Sequence, residues 1–174
     1  MQIAAGKPEE AFKEAKSIQI ARPREAIGFA MEGDVFESQK KFADAARAYV
    51  EGIKHQPVPE LVVRQIQLLD GAGLSADASA VGAKSLKDNP NDATVRFHLA
   101  TTSMQNKQYK EAVETYKDIL KKQPDNFQTL NNLAWVLGEL RDPADLGYAE
   151  LAYAKAPTNP GVLDTYGWLL LNSG

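Results

Sequence analysis

Small and apolar residues recur along this chain at helical intervals, and a proline closes each stretch. Pro23, Pro57, Pro90, Pro124 and Pro157 are almost evenly spaced, at roughly 34 residues, a period typical of helical repeat arrays. They end the similar phrases IARP, IKHQP, LKDNP, LKKQP and YAKAP. Twelve residues before the first four stand Ala11, Ala45, Ala78 and Ala112; eight before all five stand Ala15, Tyr49, Gly82, Tyr116 and Ala149. Five before stand Ile18, Gly52, Ser85, Ile119 and Ala152. Offsets of twelve, eight and five fall near whole turns at about 3.6 residues each, so these residues share one helical face. Proline ends a helix because it lacks an N–H and restricts the residue before it. Capping residues then open the next helix at Asp92, Asn126 and Asn159, the last followed by Pro160. The pattern predicts helices over 8–21, 26–39, 42–55, 59–71, 75–88, 92–106, 109–122, 126–140, 144–156 and 160–173, with no strand.

Period and phase resemble the tetratricopeptide repeat, a helix-turn-helix unit of about 34 residues. The stretch Ala26–Pro57 offers Phe29, Gly33, Phe36, Phe42, Ala45, Tyr49, Gly52 and Pro57 in that family's consensus positions. Ala93–Pro124 offers Leu99, Ala100, Tyr109, Ala112, Tyr116, Ile119 and Pro124. Small residues at positions 8 and 20 let the two helices of a unit approach, and large ones at 4, 11, 17 and 24 fill the flanks. Departures are visible. Glu32 replaces the usual Leu at position 7. In 59–90, Ile66 stands where a small residue is expected and Gly82 replaces an aromatic. The unit 127–157 is one residue short, with Asp145 where Ala is expected.

The resemblance implies an all-α fold, a right-handed α-α superhelix of antiparallel helix pairs (a tetratricopeptide solenoid). It reads as a single array over 1–174: a half repeat at 1–23, repeats at 26–57, 59–90, 93–124 and 127–157, and a half repeat at 160–174. At the start, Gly6 takes the turn position; at the end, Leu163, Tyr166, Gly167 and Leu170 take positions 4, 7, 8 and 11, and Gly174 the turn. Natural arrays end in a polar cap, and PGVLDTYGWLLLNSG is apolar. The expectation is a fragment of a longer array, whose terminal half repeats complement one another in head-to-tail self-association, a contact that propagates and does not close.

By the same resemblance, positions 2, 5, 9 and 12 of each first helix line a concave peptide-binding face. The candidates are Asp34, Glu37, Val63, Gln67, Phe97, Thr101, Met104, Asn131, Trp135, Asp164 and Trp168. Trp135 and Trp168, the only tryptophans, both fall at position 9. They are either peptide anchors, since aromatic residues dominate interface hot spots, or packing between neighbouring first helices. Asp34, Glu37, Glu60 and Asp70 make one end acidic, which favours a basic or neutral ligand or is a solvated face. These positions carry no Lys or Arg, which argues against the carboxylate clamp of the family's chaperone-binding members.

Composition narrows the chemistry. The net charge is -3, from 20 Lys plus Arg against 23 Asp plus Glu, which argues against general binding to nucleic acid. With no cysteine, thiolate metal sites and thiol nucleophiles are excluded, and two histidines, His55 and His98, exclude a multi-histidine metal site. There is no phosphate-cradling glycine loop and no recognised acid-base motif, so no cofactor, metal or catalytic residue is assigned. No run of eighteen apolar residues spans a membrane, and MQIAAGKPEE lacks a signal-peptide pattern. The expected role is a non-catalytic protein-interaction scaffold holding a protein or peptide in its groove; the alternative is the recruiting arm of an enzyme catalytic elsewhere. NNLAWVLGEL, YAKAPTNP and GVLDTYGWLLLNSG resemble bacterial tetratricopeptide lipoproteins of exosortase (PEP-CTERM) and exopolysaccharide systems. That likeness implies a lipid-anchored parent facing the periplasm.

Overall fold

The computed structural model describes residues 7–173, so the expected turn glycines Gly6 and Gly174 lie outside the described residues. The described residues form helices and connecting turns only. The helices are α1 (Pro8–Ala21), α2 (Ile27–Ser38), α3 (Phe42–His55), α4 (Pro59–Gly71), α5 (Ser75–Asp88), α6 (Ala93–Gln105), α7 (Tyr109–Lys122), α8 (Phe127–Glu139), α9 (Asp145–Lys155) and α10 (Pro160–Ser173). The chain divides into two units, one ending at Val95 and the other beginning at Arg96.

The capping residues act as their chemistry requires. Asp92 Oδ1 accepts the Val95 N–H at 3.0 Å, Asn126 Oδ1 that of Thr129 at 3.0 Å, and Asn159 Oδ1 that of Val162 at 3.2 Å. Each satisfies one of the N–H groups that a helix start leaves without a partner. The hairpin turns share a second device. Lys40, Gly73, Lys107 and Arg141 have φ of 59°, 76°, 60° and 56°, the left-handed region. The next N–H reaches back to the last turn of the helix just ended: Lys41 to the Phe36 carbonyl (2.9 Å), Leu74 to Leu69 (2.9 Å), Gln108 to Ser103 (2.8 Å) and Asp142 to Leu137 (2.9 Å). This is the Schellman closure. Three of its four left-handed residues carry side chains, at about 1–2 kcal/mol each.

In the unit ending at Val95, α2 and α3 run antiparallel. Gly52, near the end of α3, lies against Phe29 and Ala26 at the start of α2, while Gly33 in the middle of α2 faces the Tyr49 ring. A Cβ on Gly33 would sit 2.2 Å from Tyr49 Cε1, so only glycine permits this approach. Tyr49 and Ala45 are fully buried there, with Leu61 of α4 completing the cluster. Glu32, the polar substitute at position 7, points toward α1: Lys16 Nζ lies 2.7 Å from both carboxylate oxygens and Gln19 Nε2 donates at 2.6 Å. In α4 and α5, Ile66 and Ala78 are buried, as is Gly82.

In the unit beginning at Arg96, Ala100, Ala112, Tyr116, Ile119, Leu133, Val136 and Leu137 form the core of α6, α7 and α8. Leu130 packs with Ala152 and Val162, and Ala134 with Ala149 and Leu169, which join α8, α9 and α10. Asp145 opens α9, its Oδ1 accepting the Leu146 N–H, while Ala149 and Ala152 supply the small buried surface. The short RDPAD turn is closed by Asp142 Oδ1, which accepts the Ala144 N–H at 2.9 Å.

Candidate functional site

The candidate residues fall into both units. In the first, Asp34 and Glu37 of α2 meet over the buried ring of Tyr49. The Tyr49 hydroxyl lies 2.7 Å from Asp34 Oδ1 and 2.8 Å from Glu37 Oε2. One hydroxyl proton thus faces two carboxylates. Arg64 of α4 supplies the balancing charge: its Nη1 lies 3.0 Å from Asp34 Oδ1 and 3.6 Å from Glu37 Oε2, and donates to the Tyr49 oxygen at 3.3 Å. Burial raises the Tyr49 pKa, and the hydrogen bonds to Asp34 and Glu37 raise it further. The acidic end is therefore a charge-compensated knot tying α2, α3 and α4 together. That corrects the reading of Asp34 and Glu37 as a solvated row, because Arg64, one residue past the scanned position 63, is held against both. Val63 is half-buried, whereas Gln67 and Glu60 are exposed and take no part in this knot. His55, in the last turn of α3, stacks on Phe29 at 4.7 Å with an interplanar angle of 9°.

In the second unit the aromatic candidates converge. Trp135 of α8 and Trp168 of α10 stack at 6.4 Å between centroids and 29° between planes. Tyr109 of α7 meets Trp135 edge-on at 6.0 Å, and its hydroxyl donates to Glu139 Oε2 at 3.3 Å. Trp168 crosses Gly138, where a Cβ would come within 2.6 Å of Cζ3, so this glycine lets the indole lie close to α8. Both indoles are half-buried. The pair therefore packs between first helices, the second of the two readings that position 9 allowed.

Phe97, Met104 and Trp135 all pack on the same core cluster. At its centre the buried Tyr116 hydroxyl accepts from Asn132 Nδ2 at 3.3 Å and lies 3.1 Å from Thr101 Oγ1, whose own proton goes to the Phe97 carbonyl at 2.9 Å. Burial raises the Tyr116 pKa against these bonds, which lower it. Thr101 and Asn132 are thereby committed to holding Tyr116. Asn131 differs. Its Oδ1 is buried without a hydrogen-bond partner among the described residues, one turn before Trp135, and such an acceptor is costly to leave unsatisfied. Asp164 is exposed one turn before Trp168. Beside this face, Trp168, Leu169 and Asn172 of α10, with Gly138, Glu139, Arg141, Asp142, Pro143 and Asp145, line a groove of about 680 Å³. Among the described residues no cluster of three metal-ligating side chains occurs, and no helix is long and apolar enough to cross a membrane.

Residues 71–134 match the model of the tetratricopeptide repeat family. No curated protein matches the chain in sequence. Among solved structures, YrrB, described as a TPR protein with an unusual peptide-binding site, is similar with a TM-score of 0.64 at 13% identity, over 94% of this chain and 86% of that one. MamA 41-end from Desulfovibrio magneticus RS-1 gives 0.68 at 18% identity, covering 85% of each chain. A further MamA structure gives 0.66 at 17% identity, over 82% of this chain and 84% of that one. At these identities the likeness is one of fold, and it sets the chain in the all-α class of tetratricopeptide solenoids.

Proposed function

We propose, for a chain whose residues 71–134 match the tetratricopeptide repeat family, a non-catalytic scaffold that holds a peptide or protein segment against α8 and α10. The observation that carries this reading is the half-buried Trp135–Trp168 stack, met edge-on by Tyr109. An indole pair offers a rigid apolar platform at low entropic cost. The ligand is thus a segment with an apolar or aromatic side chain for the stack. The peptide-binding site named for YrrB supports this by analogy of fold.

Because both tryptophans lie in the proposed site, their emission reports occupancy directly. Peptides selected from a random library against the chain should change that emission saturably. Trp135→Ala should weaken their binding at least tenfold, a loss of about 1.4 kcal/mol or more, with circular dichroism unchanged. Full binding by that variant would refute the site.

We further propose that the parent protein is a lipid-anchored component of a bacterial envelope assembly facing the periplasm. The support is the phrasing of NNLAWVLGEL, YAKAPTNP and GVLDTYGWLLLNSG. A lipoprotein acylation motif in the full reading frame is the expected finding, and a cytosolic catalytic domain joined to this array would overturn it.

A further inference from the structure

Trp135 and Trp168 stand at the same place in successive first helices, each nine residues after its capping asparagine, Asn126 or Asn159. Their surroundings differ. Tyr109 meets Trp135 edge-on at 6.0 Å and 77°, and its hydroxyl donates to Glu139 Oε2 at 3.3 Å. Glu139 follows Trp135 by four residues, as Asn172 follows Trp168. Tyr109 itself comes two residues after the left-handed turn residue Lys107, as Phe42 comes two after Lys40. Two residues after the left-handed Arg141 stands Pro143, in the unit that is one residue short. This hairpin therefore offers no ring to Trp168. In its place lies the groove of about 680 Å³, whose walls include Pro143, Trp168 and Asn172, the counterparts of Tyr109, Trp135 and Glu139. The ring on Trp135 comes from the hairpin that precedes it, so the opening beside Trp168 is the work of the shortened turn inside the chain.

We propose that this groove takes a tyrosine side chain of a partner polypeptide, with its ring edge-on to Trp168 and its hydroxyl donating to Asn172. The specification comes from the arrangement that the fold itself completes at Trp135. Asn172 Nδ2 is spent on the Trp168 carbonyl at 2.9 Å, so Oδ1 is the atom this amide has to offer, an acceptor for a phenol as Glu139 is for Tyr109. Tyrosine suits such a place because it joins an apolar ring to a polar tip, and aromatic residues of this kind anchor interfaces. Glu139, Asp142 and Asp145 also line the groove, against the single cation of Arg141. That surplus of negative charge favours a lysine or arginine next to the tyrosine in the partner. The assignment deepens the proposed binding at the indole pair, and it rests on that reading for the partner being a polypeptide.

The probe is the capped tripeptide Lys-Tyr-Lys, titrated into the isotope-labelled whole chain while the two indole N–H signals are followed by NMR, with Trp135→Phe to assign them. The Trp168 signal should shift saturably at millimolar peptide. Lys-Phe-Lys should bind about two- to tenfold more weakly, the worth of one hydrogen bond, and Lys-Ala-Lys should give no saturable shift. Asn172→Ala should bring Lys-Tyr-Lys down to the level of Lys-Phe-Lys. Pro143→Tyr, which places a ring on the chain's own turn, should weaken binding by about tenfold or more. Both variants alter exposed positions and should keep the parent circular dichroism. The proposal is overturned by no saturable shift at Trp168, by equal binding of Lys-Ala-Lys, or by parent-like binding in both variants. Library peptides that need Trp135 but bind Pro143→Tyr and Asn172→Ala like the parent would overturn this groove and leave the indole pair standing. Lys-Tyr-Lys binding as specified, with library peptides indifferent to Trp135→Ala, would keep the groove and remove the stack.

Discussion

Adding one methyl group at the same helical position in two helices should have opposite effects. In Gly33→Ala the new Cβ lies 2.2 Å from Tyr49 Cε1 and 2.5 Å from Cδ1, well inside contact distance. The ring cannot swing away cheaply, because it is fully buried and its hydroxyl is held by Asp34 and Glu37. Overpacking of this kind costs about 1–3 kcal/mol. Displacing the hydroxyl from its carboxylates adds about 1.5–3 kcal/mol, while exchanging glycine for alanine in mid-helix returns about 1 kcal/mol. The net expectation is a loss of about 1.5–5 kcal/mol. In Gly167→Ala nothing stands in the way, so only the helix preference remains, a gain of about 0.5–1 kcal/mol. Urea unfolding followed by far-UV circular dichroism reads both. With a slope of roughly 2 kcal/mol per molar, Gly33→Ala should lower the midpoint by about 0.8–2.5 M. Tryptophan emission, from Trp135 and Trp168, follows only the unit beginning at Arg96, so the Gly33→Ala loss should be larger by circular dichroism. A Gly33→Ala midpoint at or above the parent would refute the close approach of α2 and α3. A Gly167→Ala loss as large as that of Gly33→Ala would refute the open space beside Gly167 on α10.

Arg64→Met removes the cation from the Asp34–Glu37–Tyr49 knot and should destabilise the chain by about 0.5–1.5 kcal/mol, since the guanidinium is partly exposed and screened; thermal melts at low and high salt check this, and the difference from the parent should shrink with salt. The raised tyrosines predict a high-pH limit: Tyr49 and Tyr116, both buried, stay neutral when folded but ionise near 10.0 when unfolded. Their neutral-state stabilisation is intact below pH 10 and declines as pH rises above it. Absorbance at 295 nm should show these two among six tyrosines ionising only with unfolding, and full titration of all six in the folded chain would contradict their burial.

The seams between repeats were legible because spaced small residues and a closing proline mark each of them, joined at three by a capping Asp92, Asn126 or Asn159. Observed ends lie within one residue of those the pattern predicts, as in Ile27–Ser38 against 26–39. The hairpin turns were harder, since the left-handed position holds lysine or arginine in three cases, and these residues do not announce positive φ. The site was legible in part. Scanning positions 2, 5, 9 and 12 of each first helix found Trp135, Trp168 and Asn131. It passed over Arg64 because that residue is read only through Asp34, which sits on a different helix in the preceding repeat. It also gave no account of Tyr109, whose edge meets Trp135, since Tyr109 belongs to a second helix. A single sequence shows which face a side chain occupies more readily than which neighbour it reaches.

The bonds that fasten one helix to another bridge short stretches of chain. Gln19 reaches Glu32, Tyr49 reaches Asp34, Asn132 reaches Tyr116, and Lys155 reaches Asp125. No such tie among these spans more than one repeat. Little loop entropy must then be lost before a contact is rewarded, so a hairpin can nucleate from its own residues and recruit the next. Assembly during synthesis is therefore expected to follow the ribosome helix by helix, with order growing from whichever hairpin closes first.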